Sequence, residues 1–310
     1  MSADAQDLPF LSPEFEPSAE VAPVETPEVR ATSSPSRRAR PPVVRVDELT
    51  LIVPSHNEAE SIRHVLRECW ADRPRGVAMQ ILVVDDASTD DTPKILRELQ
   101  SEFPIRVIRN PVSRGFGGAL KVGIANTRTR WVAFTDADGQ YDPRDLPILL
   151  AVLESGNELA LGWRTQRADP FVRTAISVGF RGLLFLFFHH AAHDPTTSLR
   201  AGRTETIRNV AARTRYMNGS FWNEFMVRWR AENYSFAEVP VRHLPRYQGK
   251  SKVAARSVIS KVSAQQFIAL LRVWREFHRD ATNGTSLPAL AGDPAESDHQ
   301  LPVTGPFSSP

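Results

Sequence analysis

The sequence has little of what marks secreted, membrane-spanning or nucleic-acid-coating proteins. It contains one cysteine, Cys69, in 310 residues, which excludes an internal disulfide framework and fits a reducing compartment. The first residues lack the basic and apolar regions of a secretory signal. No apolar run reaches the ~18 residues that a spanning helix needs. A formal net charge of only +2 argues against a nucleic-acid partner. We therefore expect a cytoplasmic protein, with contact to a membrane surface left open.

Composition divides the chain into four predicted parts. Residues 1–46 are rich in Pro, Glu, Ser and Ala, and they cannot bury enough apolar surface to offset the entropy of ordering, so we predict a disordered tail. Residues 47–255 form the predicted folded domain, and residues 256–279 have the spacing of an amphipathic helix. Residues 280–310 contain Gly, Pro, Ser and Thr without periodicity and are predicted to be a second disordered tail.

Short apolar runs alternate with amphipathic stretches in the predicted domain. This alternation, with fully apolar strands, is typical of an α/β protein whose mostly parallel sheet carries helices on both faces. In such sheets, ligands bind at the carboxyl ends of the strands. The pattern predicts strands at 49–53, 79–84, 105–108, 131–134 and 159–161, and helices at 60–69, 118–126 and 146–153, with another helix opening at 91–93.

Polar clusters follow three of these strands. Residues 54–58 follow the first strand, residues 85–91 the second and residues 136–140 the fourth. Because the carboxyl ends of parallel strands meet at one edge of a sheet, we expect the three clusters to line one crevice.

The cluster after the fourth strand is a candidate metal site. In an extended segment, side chains two apart point the same way, so Asp136, Asp138 and Gln140 can face one point. Carboxylates held this close repel each other unless a cation lies between them, and oxygen ligands suit Mg²⁺ or Mn²⁺, which would bind a diphosphate in turn. The same residues also fit an Asp-rich turn in which Gly139 reverses the chain.

The other two clusters have interpretations that can hold together. Asp85 and Asp86 offer carboxylates to a base or ribose, while residues 88–91 fit the start of a helix, where caps and acidic residues are favoured. Glu58 fits a helix cap, and His56 fits either a stacking partner for a base or a surface residue.

A glycine-rich segment, residues 110–119, runs into the third predicted helix. Such a segment can bring backbone N–H groups and the positive end of a helix to an anion. It follows the third strand, whereas a dinucleotide-binding fingerprint follows the first, so a plain glycine-rich turn is the other interpretation.

Four segments resemble family 2 glycosyltransferases, in that family's order and spacing. They are residues 52–58, residues 83–90, the Arg114-Gly115-x-Gly117 loop and residues 136–140, and the likeness covers about 49–253. The Asp-Ala-Asp-Gly-Gln form is similar to the dolichol-phosphate mannosyltransferase branch. The resemblance implies a GT-A fold for residues 47–255, and it implies that Asp136, Asp138 and Gln140 hold the metal and diphosphate. The nucleotide-binding residues that it implies are Pro54, His56, Asn57, Glu58, Asp85, Asp86, Arg114, Gly115 and Gly117.

The second half of the domain resembles the lipid-phosphate branch. Residues 162–164, 173–177, 194–200 and 246–252 are similar to segments of those enzymes. By this resemblance Arg164, Arg173 and Lys252 bind the acceptor phosphate and act with Asp138 in catalysis. A solvated surface cation is the alternative interpretation of each basic residue.

The implied reaction moves a sugar, with mannose as first choice, from GDP-mannose or a UDP-sugar to a polyprenyl or dolichyl phosphate, with inversion. A phosphate acceptor is already anionic and needs no general base, but it must approach a diphosphate of the same sign, and a metal ion and arginines can neutralise both. One alternative is a family 2 enzyme with a UDP-sugar donor and a saccharide or other hydroxyl acceptor, for which Glu224 is the candidate base. A non-catalytic nucleotide-sugar-binding protein is a second alternative, against which the Asp136 and Asp138 pair argues.

Two segments offer an apolar surface to a lipid acceptor. Residues 180–190 are strongly apolar, too short to span a membrane and flanked by cations, and residues 258–278 combine apolar and basic positions at helical spacing. Both fit helices that lie in the headgroup region, so we expect a peripheral protein on the cytoplasmic face of the membrane. Packing on the domain or in a dimer contact is the alternative.

Overall fold

One sheet organises the part of the chain that the computed structural model describes, which is residues 30–31, 45–165, 182, 192–215, 221–247, 267–277 and 279. The sheet has eight strands, which are β1 (Arg30–Ala31), β2 (Glu48–Ser55), β3 (Ala78–Asp85), β4 (Ile105–Arg109), β5 (Trp131–Phe134), β6 (Leu159–Arg164), β7 (Arg200–Arg203) and β8 (Phe236–Val241). Six helices accompany them, α1 (Ile62–Ala71), α2 (Thr92–Glu102), α3 (Gly115–Asn126), α4 (Leu146–Glu154), α5 (Thr204–Arg213) and α6 (Phe221–Ala231). Residues 267–277 form a further helix, α7.

The strand order is β1-β8-β6-β7-β5-β2-β3-β4. Strands β2 to β5 pair in parallel, and β6 pairs in parallel with β8. Strand β7 lies between β5 and β6 and is antiparallel to both. The predicted α/β class with a mostly parallel sheet is confirmed. The apolar pattern did not predict β7, because its residues, Arg200-Ala201-Gly202-Arg203, include two charges and a glycine.

Helices cover both faces of the sheet because successive residues of each apolar strand point to opposite sides. Leu51 and Val53 pack on one side, in a core with buried residues of α1, α2 and α4. Ile52 packs on the other side, in a core with buried residues of α3, α5 and α6. The fully apolar runs in the sequence are the consequence of this two-sided burial.

Helix α3 lies unusually close to the sheet at Gly123. A Cβ atom at this position would lie 2.7 Å from Cγ2 of Ile52. Only glycine therefore permits this approach. The close packing of the helix brings its glycine-rich start to the end of β3. The helix begins at Gly115 rather than at the predicted residue 118.

The predicted tails lie almost wholly outside the described residues. Two residues of the N-terminal tail, Arg30–Ala31, form β1 and pair antiparallel with β8. Within the predicted amphipathic segment, α7 packs Leu270 and Val273 against Val227 of α6. The three boundaries between the four predicted parts stay predictions.

Candidate active site

The ends of the parallel strands and the start of β7 meet at one edge of the sheet, which we call the catalytic edge. The amide of Asp86 donates to the carbonyl of Ser55 at 2.8 Å, which joins the ends of β3 and β2. The Ser61 hydroxyl donates to the carbonyl of Ala137 at 2.8 Å, which joins the start of α1 to the loop after β5. The structure thus brings the three polar clusters together.

Asp136 and Asp138 are partly desolvated at the centre of this edge. The Oδ1 atom of Asp138 accepts a hydrogen bond from the Gln140 amide at 3.1 Å, and Gly139 reverses the chain with a φ of 76°. Asp136 accepts a hydrogen bond from the Ser198 side chain. The metal-site and Asp-rich-turn interpretations are therefore compatible, since the turn is what presents both carboxylates.

The two carboxylates repel each other. Burial, and then the charge of Asp138, raises the pKa of Asp136 to about 7. Burial also raises the pKa of Asp138, against the opposing effect of Arg246. A divalent cation would relieve this repulsion, and hard oxygen ligands fit Mg²⁺ or Mn²⁺. Among the described residues, no third His, Cys, Asp or Glu completes a metal-binding group with them.

Gln140 is engaged with the segment that follows β8. Its carbonyl accepts from the Leu244 amide at 2.8 Å, and its side-chain Nε2 lies 3.5 Å from the carbonyl of Leu244. These contacts tie the loop after β5 to residues 243–247. A role for Gln140 as a metal ligand stays a prediction.

Asp86 holds the glycine-rich loop by its own carboxylate. Oδ1 accepts from Asn110 Nδ2 at 2.7 Å and from the Arg114 amide at 2.8 Å, and Oδ2 accepts from the Ser113 hydroxyl and the Gly115 amide, each at 2.8 Å. Burial alone would raise the pKa of Asp86, but these hydrogen bonds hold it below its ordinary value. The glycine-rich loop was predicted to bring an anion to the start of α3, and the carboxylate of Asp86 is that anion. All four of its lone-pair positions accept hydrogen bonds. The structure does not offer the Arg114 and Gly115 amides to a ligand.

Asp85 retains hydrogen-bonding capacity that Asp86 lacks. Its Oδ1 accepts from the Ser88 amide at 3.0 Å, as expected for the start of the following turn. Within the described part of the chain, Oδ2 has no hydrogen-bond partner, and the nearest cation is Arg109 Nε at 3.5 Å. Of the two acids, Asp85 is the one with an acceptor atom to spare.

Residues 56 and 57 join the ends of β2 and β3. His56 Nδ1 lies 2.7 Å from the carbonyl of Asp86, and because a carbonyl only accepts, Nδ1 carries a proton. Asn57 has a φ of 55°, which asparagine tolerates, and its Oδ1 accepts from the Thr89 amide at 2.7 Å. The backbone amide of Asn57 donates to the Ser88 hydroxyl at 2.9 Å. Asn57 is therefore a structural link between the two loops.

Pro54 and Glu58 flank this link. Pro54 is buried within β2, opposite Val84 of β3. The Glu58 amide donates to the Thr92 hydroxyl at 2.9 Å, and its carbonyl accepts the amides that open α1. Its carboxylate lies 3.8 Å from Arg246, so Glu58 belongs to the charged edge as well as to the helix start.

Arg164, at the end of β6, forms a bidentate ion pair with Asp194. Its Nε and Nη2 donate to the two carboxylate oxygens of Asp194 at 2.6 and 2.9 Å, and Nη2 also donates to the Thr196 hydroxyl at 2.9 Å. The amide of Asp194 donates to the buried Glu238 at 3.2 Å. The side chain of Arg164 is 12% exposed, and its charge lowers the pKa of Asp136 against the larger effects of burial and Asp138. Bidentate pairs of this kind fix the plane of the guanidinium.

Two arginines at the edge were not among the predicted site residues. Arg246 Nη2 lies 2.8 Å from Oδ2 of Asp138. Arg200 is fully buried, stacks its guanidinium 3.7 Å from the ring of Trp222 and donates to the carbonyls of Thr197 and Pro195. Burial lowers the pKa of Arg200 to about 9. Arg200 is the last residue of the 194–200 segment, and Arg246 is the first residue of the 246–252 segment. Both segments carried the family resemblance, and that resemblance was the signal in the sequence that could have identified these two residues.

Glu224 does not have the surroundings of a general base. It is fully buried in α6, and its Oε1 accepts from the Arg228 Nε at 2.9 Å and the Arg215 amide at 2.8 Å. Arg228 also pairs with Glu276 of α7 at 3.1 Å. The carboxylate is thus part of a buried ion pair that fastens α6 to its neighbours.

Several predicted features lie outside the described residues. These are Arg173, Lys252 and all of the 180–190 segment except residue 182. In α7, Phe267 and Ile268 are 42% and 50% exposed, while Leu270 and Val273 are buried. Over the described ranges, no helix has the length and apolarity to cross a membrane.

The chain is similar to several glycosyltransferases. It is 32% identical to an uncharacterized glycosyltransferase of Mycobacterium tuberculosis, over 74% of this chain and 97% of that protein. It is 30% identical to the dodecaprenyl-phosphate galacturonate synthase of Rhizobium johnstonii, over 85% and 79%. It is 29% identical to the polyprenol monophosphomannose synthase of Mycolicibacterium smegmatis, over 70% and 86%.

A solved structure shows the same fold. It is glucosyl-3-phosphoglycerate synthase from Mycobacterium tuberculosis in complex with Mn²⁺, uridine diphosphate and glucosyl-3-phosphoglycerate, with a TM-score of 0.58, 20% identity and coverage of 73% of this chain and 80% of that one. This likeness confirms the GT-A fold. Residues 50–210 match the model of the family described as glycosyl transferase family 2. The chain therefore belongs to glycosyl transferase family 2, as the four sequence segments predicted.

Proposed function

We propose that the protein transfers a sugar from a nucleotide-sugar to a polyprenyl phosphate in a metal-dependent, inverting reaction. The names of two relatives support this acceptor, since one makes a polyprenol monophosphomannose and the other a dodecaprenyl-phosphate galacturonate. They share the lipid phosphate and differ in the sugar. Mannose from GDP-mannose is our first choice of donor, with a UDP-sugar as the second.

The observation that carries the proposal is the alternation of charge at the catalytic edge. Arg246 contacts Asp138 at 2.8 Å, and the charges of Arg164 and Arg246 both act to lower the pKa of Asp136. An anionic donor and an anionic acceptor must meet in this reaction, and they repel each other. Fixed guanidinium groups lower that repulsion, and in a partly desolvated site they do so without reorganisation.

The donor diphosphate is assigned to the Asp136 and Asp138 side of the edge. These two carboxylates, with Gln140 as a proposed third ligand, would hold Mg²⁺ or Mn²⁺. The bound ion would act as a Lewis acid on the departing nucleoside diphosphate. The structural relative was solved with Mn²⁺ and uridine diphosphate, which supports the proposal of a metal ion and a nucleotide donor.

The nucleoside is assigned to the crevice between the ends of β2 and β3. The spare Oδ2 of Asp85 is suited to accept from a base or ribose. The exposed ring of His56 is oriented by its Nδ1 contact to the carbonyl of Asp86. Asn57, Asp86 and the Arg114, Gly115 and Gly117 loop act in this proposal by shaping the crevice.

The acceptor phosphate is assigned to Arg164, assisted by Arg173 and Lys252. The Asp194 fork holds the Arg164 guanidinium in one orientation, and Arg164 is close enough to Asp136 to influence its ionisation. No general base is required, because a phosphate oxygen attacks as an anion. The buried ion pair of Glu224 is consistent with that requirement. The exposed Phe267 and Ile268 of α7 are proposed to touch the membrane that holds the lipid.

The test is transfer of radiolabel into the organic phase. The purified protein is incubated with labelled GDP-mannose or a UDP-sugar, a polyprenyl phosphate and Mg²⁺ or Mn²⁺, and label is counted after organic extraction. We expect label with one donor, and its loss with EDTA and in Asp138→Ala. The matched control, Asp72→Ala, removes an exposed acid at the end of α1 and should leave transfer unchanged.

A lack of label in the organic phase would point to a different acceptor. If protein that still binds nucleotide gives no extractable label with any common donor, the lipid-phosphate proposal is wrong. The remaining family 2 reaction would then be transfer to a saccharide or other hydroxyl, and the same labelled donors would be tested with those acceptors.

A further inference from the structure

A second charged pocket lies at the sheet edge opposite the catalytic edge. It is formed where β5 begins, where β7 ends and where α5 begins, and its volume is about 290 Å³. Strand β5 has four residues, so at ~3.3 Å per residue the pocket is separated from Asp136 by over 10 Å of strand. Its lining includes Arg128, Arg130, Arg203, Thr204, Glu205 and Arg208.

Four arginines line this pocket, with Glu205 as the acidic residue of the lining. The carboxylate of Glu205 is 73% exposed and lies 3.6 Å from Arg203, which is longer than a hydrogen bond. Arg208 donates to the carbonyl of Thr127 at 2.9 Å, and Arg130 lies 5.6 Å from the ring centroid of Trp131. The Glu48 carboxylate accepts from the Arg130 amide at 2.7 Å beside the pocket. Four arginines against one glutamate still leave the lining with a net charge of +3. The positive charges of these arginines repel one another. An anion bound between them would attract each of them and offset that repulsion.

The start of α5 adds donors at the same place. The helix has no side-chain cap. The Arg203 and Thr204 amides donate to the carbonyls of Glu158 and Arg130, so the next backbone N–H groups of the first turn and the positive end of the helix dipole are what the helix start presents. Thr204, the first residue of α5, is 4% exposed. Within the described ranges, its buried Oγ1 has no hydrogen-bond partner. An unsatisfied buried hydroxyl is costly, and in a pocket lined by arginines it is suited to donate to an anion.

We propose that this pocket binds a phosphate group. Guanidinium forks match phosphate oxygens, and the start of a helix with an unpaired hydroxyl completes a donor set of the kind that binds phosphate. The volume suits a phosphate monoester or a diphosphate. It is distinct from the catalytic edge, from which β5 and β7 separate it. The phosphate belongs either to a small soluble molecule or to a lipid headgroup.

Calorimetric titration with inorganic pyrophosphate, in EDTA, tests this site in the full-length protein. The probing variant is Arg128→Gln combined with Arg203→Gln, since both side chains are exposed and the change leaves the core intact. The matched control is Arg75→Gln combined with Arg97→Gln, which makes the same charge change at exposed positions elsewhere. Arg246→Gln reports separately on pyrophosphate bound at the catalytic edge.

We expect the pocket variant to raise the Kd for pyrophosphate about ten-fold or more, because two charge-assisted contacts are lost. The control variant and Arg246→Gln should retain this binding event. Thr204→Val, which removes the hydroxyl at nearly constant volume, should weaken it about three-fold or more. Equal affinity in the wild-type protein and the pocket variant would overturn the proposal, and so would a wild-type protein whose pyrophosphate binding disappears in Arg246→Gln.

Vesicle flotation separates the two sources of phosphate. Vesicles of phosphatidylcholine with phosphatidate are compared with phosphatidylcholine alone, using the same variants. Binding to phosphatidate vesicles that the pocket variant loses identifies a lipid headgroup. Pyrophosphate binding with no pocket-dependent flotation identifies a soluble phosphate compound. This outcome is independent of the proposed transfer reaction, because neither assay requires turnover.

Discussion

Arg246 Nη2 lies 2.8 Å from Oδ2 of Asp138, so the second carboxylate of the Asp136-Ala137-Asp138 segment carries its own counter-charge. Tyr247, the next residue, stacks on the ring of His64 of α1 at a centroid distance of 3.8 Å. The Tyr247 amide also donates to the carbonyl of Asp138 at 3.2 Å. A segment after the last strand is thereby fastened over the candidate metal site, and its cation competes with any metal ion for the same oxygen.

Arg246→Gln should change metal binding and nucleotide binding in opposite directions. Without the competing cation, Mn²⁺ alone should bind about three- to ten-fold more tightly, the effect of one charge at a partly exposed site. With Mn²⁺ saturating, a nucleoside diphosphate should bind about ten-fold more weakly because a charge-assisted contact is lost. Calorimetry measures both. Arg242→Gln, whose side chain pairs with Asp145, is the control from the same segment. Weaker Mn²⁺ binding in Arg246→Gln would contradict this account.

The stabilisation of the folded protein by Mn²⁺ should increase with pH, because Asp136 must lose a proton to bind the ion. Burial and the charge of Asp138 raise the pKa of Asp136 to about 7, whereas an unfolded chain ionises an aspartate near pH ~4. Between these values the metal-free folded protein holds the extra proton, so this group's contribution to stability is present at low pH and is lost as the pH rises through the folded pKa. A divalent cation requires the carboxylate form.

The measurement is the rise in Tm on adding Mn²⁺. It should be larger near pH ~8 than near pH ~6, because less proton release opposes binding at the higher pH. In Asp136→Asn the rise should be small at both pH values. A pH-independent rise in the wild-type protein would show that no proton is released from Asp136 on binding, and an undiminished rise in Asp136→Asn would show that Asp136 is not a ligand.

Arg164→Lys should impair transfer although it preserves charge. Lysine cannot reproduce the two parallel hydrogen bonds to Asp194 or the contact to Thr196. We expect kcat/KM for the polyprenyl phosphate to fall about ten-fold or more, with a smaller change in the KM of the nucleotide-sugar. Arg67→Lys is the matched control, since Nε and Nη2 of Arg67 donate to the two carboxylate oxygens of Glu102 at the surface. Equal losses in the two variants would assign the effect to stability.

Asp86→Ala should destabilise the fold and weaken nucleotide binding indirectly. It leaves the Asn110 and Ser113 side chains and the Arg114 and Gly115 amides without their acceptor. We expect a loss of about 3 kcal/mol in the free energy of unfolding, measured in urea. Because hydrogen bonding lowers the pKa of Asp86, its stabilisation is present above the unfolded pKa of ~4 and is lost as the pH falls through the folded value. The exposed Asp91→Ala should cost little.

Glu224→Gln separates a structural role from a catalytic one. The change removes a charge from the buried pair with Arg228, although Glu276 remains as a second partner. We expect about 2 kcal/mol of destabilisation and transfer to polyprenyl phosphate within a few-fold of wild type, both measured below the unfolding transition. A collapse of kcat at unchanged stability would contradict the structural role and support a catalytic one for Glu224.

The order of the strands in the chain and the polar groups at their ends are properties of the sequence itself. Burial on both faces requires uninterrupted apolar runs, so β2, β3 and β5 were predictable from local composition. The turn that presents Asp136 and Asp138 needs only neighbouring residues, including a glycine at positive φ. Segments with local determinants of this kind also carried the family resemblance.

Contacts between distant residues were decided by the tertiary structure. Strand β7 exists because its backbone completes the ladder between β5 and β6, which no local pattern records. The four hydrogen bonds of Asp86 depend on a loop that β4 and α3 bring back to the end of β3. The pairing of Arg246 with Asp138 and the arginine pocket beside Thr204 likewise arise only when separate elements meet. Periodicity reports which side of an element is buried, whereas packing alone decides which charged groups become neighbours.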